Sequence, residues 1–300
     1  MKILNFGSLN IDRVYNVDEF VKPGETISSK NMGIFAGGKG LNQSVAVAKA
    51  GAEIYHAGMI GKEGQFLKEL LEDNNVNTSL LKTVEGETGH AVIQVNRNGQ
   101  NCILLYSGAN HKIDEAYVDY VLQNFEEGDI LILQNEISCL DYIVKKAYDK
   151  KMKIALNPSP INENIEKIEL GKIEWLILNE IEGEARTGEK HPDRIVSCLL
   201  NRFSNLKIVL TLGDKGSVYK DAKESVKQSV YKVKAVDTTA AGDTFTGYFI
   251  AGISKSEDIK DILKTASMAA AISVSRKGAA NSIPNISQVD EKRDTMEENI

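Results

Sequence analysis

Short apolar runs alternate with amphipathic stretches along most of this chain. Lys2 to Gly7, Asp129 to Gln134, Lys153 to Leu156, Trp175 to Leu178 and Lys207 to Leu212 are near-continuous apolar runs. Runs of this kind, without in-and-out alternation, predict strands of a parallel sheet covered on both faces. Between them apolar residues recur at helical spacing. Phe66, Leu67, Leu70 and Leu71 make one stripe, and Tyr117, Val118, Val121, Leu122 and Phe125 a second. Ile259, Ile262, Leu263, Ala266 and Ala270 make a third, leading into Ile272. The alternation predicts an α/β fold with a doubly wound sheet and right-handed crossovers. Ligands of such sheets gather beyond the carboxyl ends of the strands. Glu136, Asn157, Asn179 and Gly213 each follow a strand candidate and so fall on that rim.

Two segments break the alternation. Ile11 to Phe35 places Pro23-Gly24-Glu25 between short extended pieces. Gly89 to Tyr106 reads as a hairpin: Ala91 to Val95, a turn at Asn96-Arg97-Asn98-Gly99, then Cys102 to Tyr106. Asn-Gly is a strong hairpin-turn signal. Together they predict a small β-sheet lid, from about residues 11–36 and 89–107, over the rim of one α/β domain spanning 1–300. The same segments also fit edge hairpins of the main sheet. The polar tail from Asp290 to Ile300 is expected to fray.

Composition narrows the function classes. The chain has 300 residues, 42% hydrophobic and 26% charged, which is ordinary globular usage. A net charge of −6 and the absence of any basic run of five argue against a nucleic-acid partner. The longest apolar stretches, Ile130 to Leu133 and Met268 to Ile272, are too short to span a bilayer, so no membrane partner is expected. The start reads as a strand without a signal-peptide apolar segment, and the expectation is a cytoplasmic protein. Cys102, Cys139 and Cys198 form no CxxC pair and are expected as buried reduced thiols. His56, His90, His111 and His191 show no metal-ligand spacing.

Candidate chemistry concentrates in two places. In Val236-Asp237-Thr238-Thr239-Ala240-Ala241-Gly242-Asp243-Thr244-Phe245, small residues and a glycine precede a helical pattern. Unpaired N–H groups and the helix dipole make such a mouth an anion site, usually for phosphate. Asp243 would compete with that anion unless it takes a proton from the group that attacks it. Taken alone, Asp243 also fits an ordinary first-turn acid, with Asp237 or Thr238 a plain cap. The second place is Phe35-Ala36-Gly37-Gly38-Lys39-Gly40-Leu41-Asn42-Gln43, whose glycines allow close backbone approach. It is neither a Walker loop nor a dinucleotide fingerprint. Asn10, Asp12, Lys39, Asn42 and Glu136 supply amides, carboxylates and an ammonium without metal-type histidines. That set complements sugar hydroxyls, which both donate and accept.

These segments, with Pro23-Gly24-Glu25-Thr26, Leu156-Asn157-Pro158, Asn179-Glu180-Ile181-Glu182, Thr211-Leu212-Gly213-Asp214-Lys215-Gly216 and Arg276-Lys277-Gly278-Ala279, follow one another as they do in ribokinases. Over nearly its whole length the chain resembles the PfkB-type carbohydrate kinase family. The resemblance implies a ribokinase-like three-layer fold, with a lid that pairs two subunits into a homodimer. It implies transfer of the ATP γ-phosphate to the 5-hydroxyl of D-ribose. Asp243 would be the general base, and the backbone of Ala240, Ala241, Gly242 and Asp243 the anion hole. Asn10, Asp12, Gly38, Lys39, Gly40, Asn42 and Glu136 would hold the sugar. Asn179, Thr211, Gly213, Gly216, Gly242 and Ser267 would hold ATP. Glu182 matches the acid of the family's Asn-x-x-Glu motif, linked to Mg²⁺. Asp237, Thr239, Ser273, Arg276, Gly278 and Ser282 match a monovalent-cation site, usually for K⁺. Leu41 replaces the alanine usual in ribokinases, and His90 sits where the lid would face the sugar. Deoxyribose, a fructose-type sugar or a nucleoside are therefore alternative substrates, and a non-catalytic sugar binder is an alternative of another class.

Overall fold

The apolar runs form the centre of a nine-stranded sheet in the computed structural model, which describes residues 1–293, 295, 296 and 298. The chain begins with β1 (Ile3–Phe6), β2 (Asn10–Asn16), β3 (Asn31–Gly37), α1 (Lys39–Lys49), β4 (Ile54–Ile60), α2 (Gln65–Asp73) and β5 (Leu81–Thr83). It continues through β6 (Gly89–Val95), β7 (Asn101–Tyr106), α3 (Glu115–Leu122), β8 (Ile130–Gln134), α4 (Leu140–Asp149), β9 (Lys153–Asn157), β10 (Trp175–Asn179) and α5 (Glu180–Thr187). It closes with α6 (Pro192–Arg202), β11 (Lys207–Thr211), β12 (Ser217–Lys220), β13 (Ser225–Gln228), α7 (Ala241–Ser254), α8 (Ile259–Val274) and α9 (Ile286–Lys292). The sheet runs β13-β12-β11-β10-β9-β8-β1-β4-β5. Strands pair in parallel from β11 to β5, and β12 and β13 add an antiparallel edge.

The period-two geometry of a strand explains the continuous apolar runs. Ile3, Ile130, Ile132, Trp175, Ile177 and Val209 enter one core, against α1, α2, α7, α8 and α9. Leu4, Leu131, Leu133, Leu176, Leu178, Ile208 and Leu210 enter the other, against α3, α4 and α6. Adjacent residues serve opposite layers, so every position must be apolar.

The two segments that break the pattern form a separate four-stranded sheet, ordered β3-β2-β6-β7, rather than edge hairpins of the large sheet. Asn10 pairs with both Gly37 and Gly89, so this sheet springs from the carboxyl side of β1. Its outer strands expose Met32, Ile34, Phe35, Ile103 and Tyr106, with Leu104 71% accessible.

Two expectations change here. The cysteines are free but not buried: Cys102 is exposed, and Cys139 and Cys198 are partly buried. The tail is partly ordered, because α9 runs to Lys292 and the Tyr231 hydroxyl donates to Glu298 Oε1 at 3.2 Å. Of the expected frayed tail, residues 294, 297, 299 and 300 lie outside the described residues.

Candidate active site

Helix α7 starts without a side-chain cap. Its N-cap is Ala240, held at φ 62° in the left-handed region, and neither Asp237 nor Thr238 caps it. A non-glycine residue there costs about 1–3 kcal/mol and persists only where the surroundings fix it. The Ala241 N–H donates to the Thr238 carbonyl at 3.3 Å. The amides of Gly242 and Asp243 precede any intrahelical partner.

Asp243 is buried, and both its oxygens are gripped from α1. Asn42 Nδ2 donates to Oδ2 at 3.0 Å and Gln43 Nε2 to Oδ1 at 2.9 Å. Asn42 Oδ1 is buried without a hydrogen-bond partner. Helix α1 is aimed by the glycine loop. A Cβ on Gly40 would lie 2.4 Å from the Ser8 nitrogen, so only glycine lets the loop sit against the end of β1. The Gly40 N–H donates to Ser8 Oγ at 3.2 Å, the Ser8 hydroxyl donates to Glu136, and Glu136 Oε2 accepts the Lys39 N–H at 3.1 Å. Residues far apart in sequence therefore meet at one sheet edge. Asn10 joins them through Asn110, whose Nδ2 donates to Asn10 Oδ1 at 2.8 Å while its Oδ1 accepts the Leu9 N–H at 3.0 Å.

The charges are coupled. Burial works against the Lys39 ammonium, but the carboxylates of Asp243, Glu136 and Glu182 outweigh it and raise its pKa above the ordinary lysine value. Burial raises Glu136, and Lys39 opposes it. Burial, then repulsion from Glu136, pushes Asp12 from 3.8 up to about 7. Between about pH 4 and pH 7 the folded chain keeps a proton on Asp12 that the unfolded chain has released. Folding is therefore least penalised at the acid end, and stability falls as pH rises through that window. Asp12→Asn should remove this fall in ligand-free melting temperatures, and parallel profiles for the two proteins would contradict it.

The remaining expected residues divide into two groups. Asn179 caps α5 and forms a capping box with Glu182, Asn179 Oδ1 accepting the Glu182 N–H at 2.9 Å and Glu182 Oε2 accepting the Asn179 N–H at 3.0 Å. Thr211 ends β11, and Gly213 and Gly216 bound the short turn into β12. Beside that turn opens a groove lined by Glu180, His191, Leu212, Lys215 and Gln228. Ser267 is buried on α8. In the second group, Asp237 Oδ1 accepts the Thr239 N–H at 2.9 Å and its Oδ2 the Gly278 N–H at 3.0 Å. Ser273 and Ser282 hydroxyls pair at 2.6 Å. The Arg276 guanidinium turns away to Gln288. Leu41 is fully buried in the core. His90 is half-buried on β6 beside the Tyr106 ring.

Asn110 and Gln43 were not singled out by sequence pattern. Each meets partners distant in sequence, Asn110 the Leu9-Asn10 segment and Gln43 the Asp243 carboxylate on α7.

Residues 1–286 match the family profile described as pfkB family carbohydrate kinase. The ribokinase of Haemophilus influenzae is 35% identical over 287 residues, covering 93% of this chain and 94% of that protein. The ribokinase of Cryptococcus neoformans, solved in complex with ADP, superposes with a TM-score of 0.84 at 34% identity, covering 97% of this chain and 99% of that one. The Arabidopsis thaliana ribokinase, solved with ribose and ATP, gives a TM-score of 0.86 at 29% identity, covering 97% and 98%.

Proposed function

The chain belongs to the pfkB family of carbohydrate kinases, and on that premise we propose that it transfers the γ-phosphate of ATP to the 5-hydroxyl of D-ribose. One observation carries the reading. Asp243 is an acid at the mouth of α7, gripped by Asn42 and Gln43 from α1, the helix that follows the glycine turn. The sugar hydroxyl gives its proton to Asp243 as its oxygen bonds to the γ-phosphorus, and the bond to the ADP oxygen breaks. Charge on the phosphoryl oxygens meets the α7 amides and Lys39, and each well-placed donor contributes about 3–4 kcal/mol. Asn10, Asp12, Gly38, Lys39, Gly40, Asn42 and Glu136 orient the sugar, Asn42 Oδ1 accepting one of its hydroxyls. Asn179, Thr211, Gly213, Gly216 and Ser267 hold the nucleotide.

Mg²⁺ would neutralise phosphate charge when bound. Among the described residues no three Asp, Glu, His or Cys side chains form a cage. Glu182, whose carboxylate closes the α5 capping box, is the residue that would help hold the ion. K⁺ would be held among Asp237, Thr239, Ser273, Arg276, Gly278 and Ser282, where the segment before α7 meets the end of α8 and the residues after it, with carboxylate, hydroxyl and carbonyl oxygens. The apolar outer strands of the small sheet support its role as a lid shared in a homodimer, for which light scattering should give twice the chain mass. Among the described residues no helix is long and apolar enough to cross a membrane.

A coupled ADP assay with D-ribose, 2-deoxyribose, fructose and a nucleoside, in K⁺ or Na⁺, tests the reading. Ribose should give the highest kcat/KM, and K⁺ the faster turnover. A higher kcat/KM for another substrate would move the assignment to it, and no sugar-dependent ADP would leave a sugar binder.

A further inference from the structure

The polar contacts of Asp243 do not stop at α1. Gln43 Oε1 accepts from Gln134 Nε2 at 2.7 Å, and Gln134 Nε2 also donates to Asn5 Oδ1 at 3.0 Å. Asn5 Nδ2 donates to the Gly40 carbonyl at 2.8 Å and to Ser44 Oγ at 3.0 Å. Ser44 Oγ pairs with His56 Nδ1 at 2.7 Å. Asn5, Gln43, Ser44, His56 and Gln134 are all fully buried. Burial lowers the His56 pKa to about 4, so the chain ends on a neutral ring.

Apolar residues would fill this space without polar groups to satisfy, and Gln134 Oε1 is left without a partner. The chain has a direction instead. A carboxamide can turn over and exchange its oxygen for its NH₂, but the Gly40 carbonyl can only accept. That fixes Asn5 with its NH₂ toward Gly40, hence Gln134 with its NH₂ toward Asn5 and Gln43, hence Gln43 with its NH₂ toward Asp243. Both fixed ends of this sequence of contacts, the Gly40 carbonyl and the Asp243 carboxylate, belong to the site itself.

We propose that Gln43 is a positioning residue for phosphoryl transfer, its amide locked by Gln134, Asn5 and Ser44 so that its N–H group fixes the rotation of the Asp243 carboxylate. The proposal rests on Asp243 being the general base. With Gln43 and Asn42 each holding one oxygen, the remaining lone pairs of Asp243 keep one direction toward the acceptor hydroxyl. Without Gln43 the carboxylate turns about its last bond, and the hydroxyl meets a base in the productive orientation only part of the time.

The test is Gln43→Met and Gln134→Met, each made in the parent protein and in Asp243→Asn, with kcat, both KM values and melting temperature measured. Gln43→Met should lower kcat about tenfold to hundredfold, with KM for sugar and for ATP within about twofold. Gln134→Met should lower kcat in the same way by less. Neither should lower it further in the Asp243→Asn background, because the group being aimed is gone. If Gln43→Met does not fold, Gln134→Met decides, since it leaves Gln43 and Asp243 in place. Unchanged kcat in the folded variants, with Asp243→Asn inactive, overturns the positioning role and spares the base. Losses that add in full to Asp243→Asn mark general damage and also overturn it. Near-parental turnover in Asp243→Asn overturns the base assignment, and this proposal with it.

Discussion

Asp243→Asn should lower kcat by about 10²–10⁴-fold, which corresponds to about 3–5 kcal/mol of transition-state stabilisation. The substitution keeps the size of the side chain and its seat in α7. It removes the proton acceptor and turns an NH₂ group toward Asn42 or Gln43, both of which donate to the carboxylate. Sugar binding should change little, because Asn10 and Asp12 on β2, Lys39 at the start of α1 and Glu136 just after β8 are untouched. Steady-state kinetics and calorimetry separate the two effects, since loss in kcat with constant sugar affinity belongs to the chemical step. Turnover near that of the parent protein would remove Asp243 from the mechanism.

Gly247→Ala should damage the same step from a distance. A Cβ on Gly247 would lie 2.3 Å from the Ala46 Cβ and 2.8 Å from the Val47 nitrogen. Ala46 lies one turn from Asn42 on α1, and Gly247 one turn from Asp243 on α7. The close crossing of these helices is what lets Asn42 and Gln43 reach the carboxylate. An added methyl must push the helices apart, and overpacking of this kind costs about 1–3 kcal/mol. Misplacement by about 1 Å can cost about 10²-fold in rate. The expected result is a lower melting temperature together with a kcat loss larger than the stability change alone produces. A variant with parental stability and parental kcat would contradict the account of the α1–α7 contact.

The sequence made some of this legible and hid the rest for physical reasons. The central strands were readable because a sheet covered on both faces demands unbroken apolar runs, as in Ile130–Gln134 and Trp175–Asn179. Strand β12 is only four residues long, and β13, the exposed edge strand, carries no such demand. β4 contains His56 and Gly58, which broke its apolar run, yet both lie inside the fold. Asp243, Asn42 and Glu136 stood out because amides and acids beside glycine-rich turns are chemically conspicuous. Their mutual arrangement was not legible, because it depends on the register that sets β1 beside β8 and α1 beside α7. Gln43 lay within a recognisable motif but had no assigned task until Asp243 and Gln134 appeared on either side of it.

The central claim is that Asp243 directs the γ-phosphate of ATP onto the primary hydroxyl of ribose. Phosphorus NMR of the product formed from ATP and D-ribose tests it most directly. The account predicts one new phosphomonoester signal, coupled to the two protons on carbon 5, in equal amount with ADP and absent when Asp243→Asn replaces the parent enzyme over the same interval. A phosphate on another carbon, inorganic phosphate in place of a sugar ester, or the same signal growing at the parental rate with Asp243→Asn would contradict it.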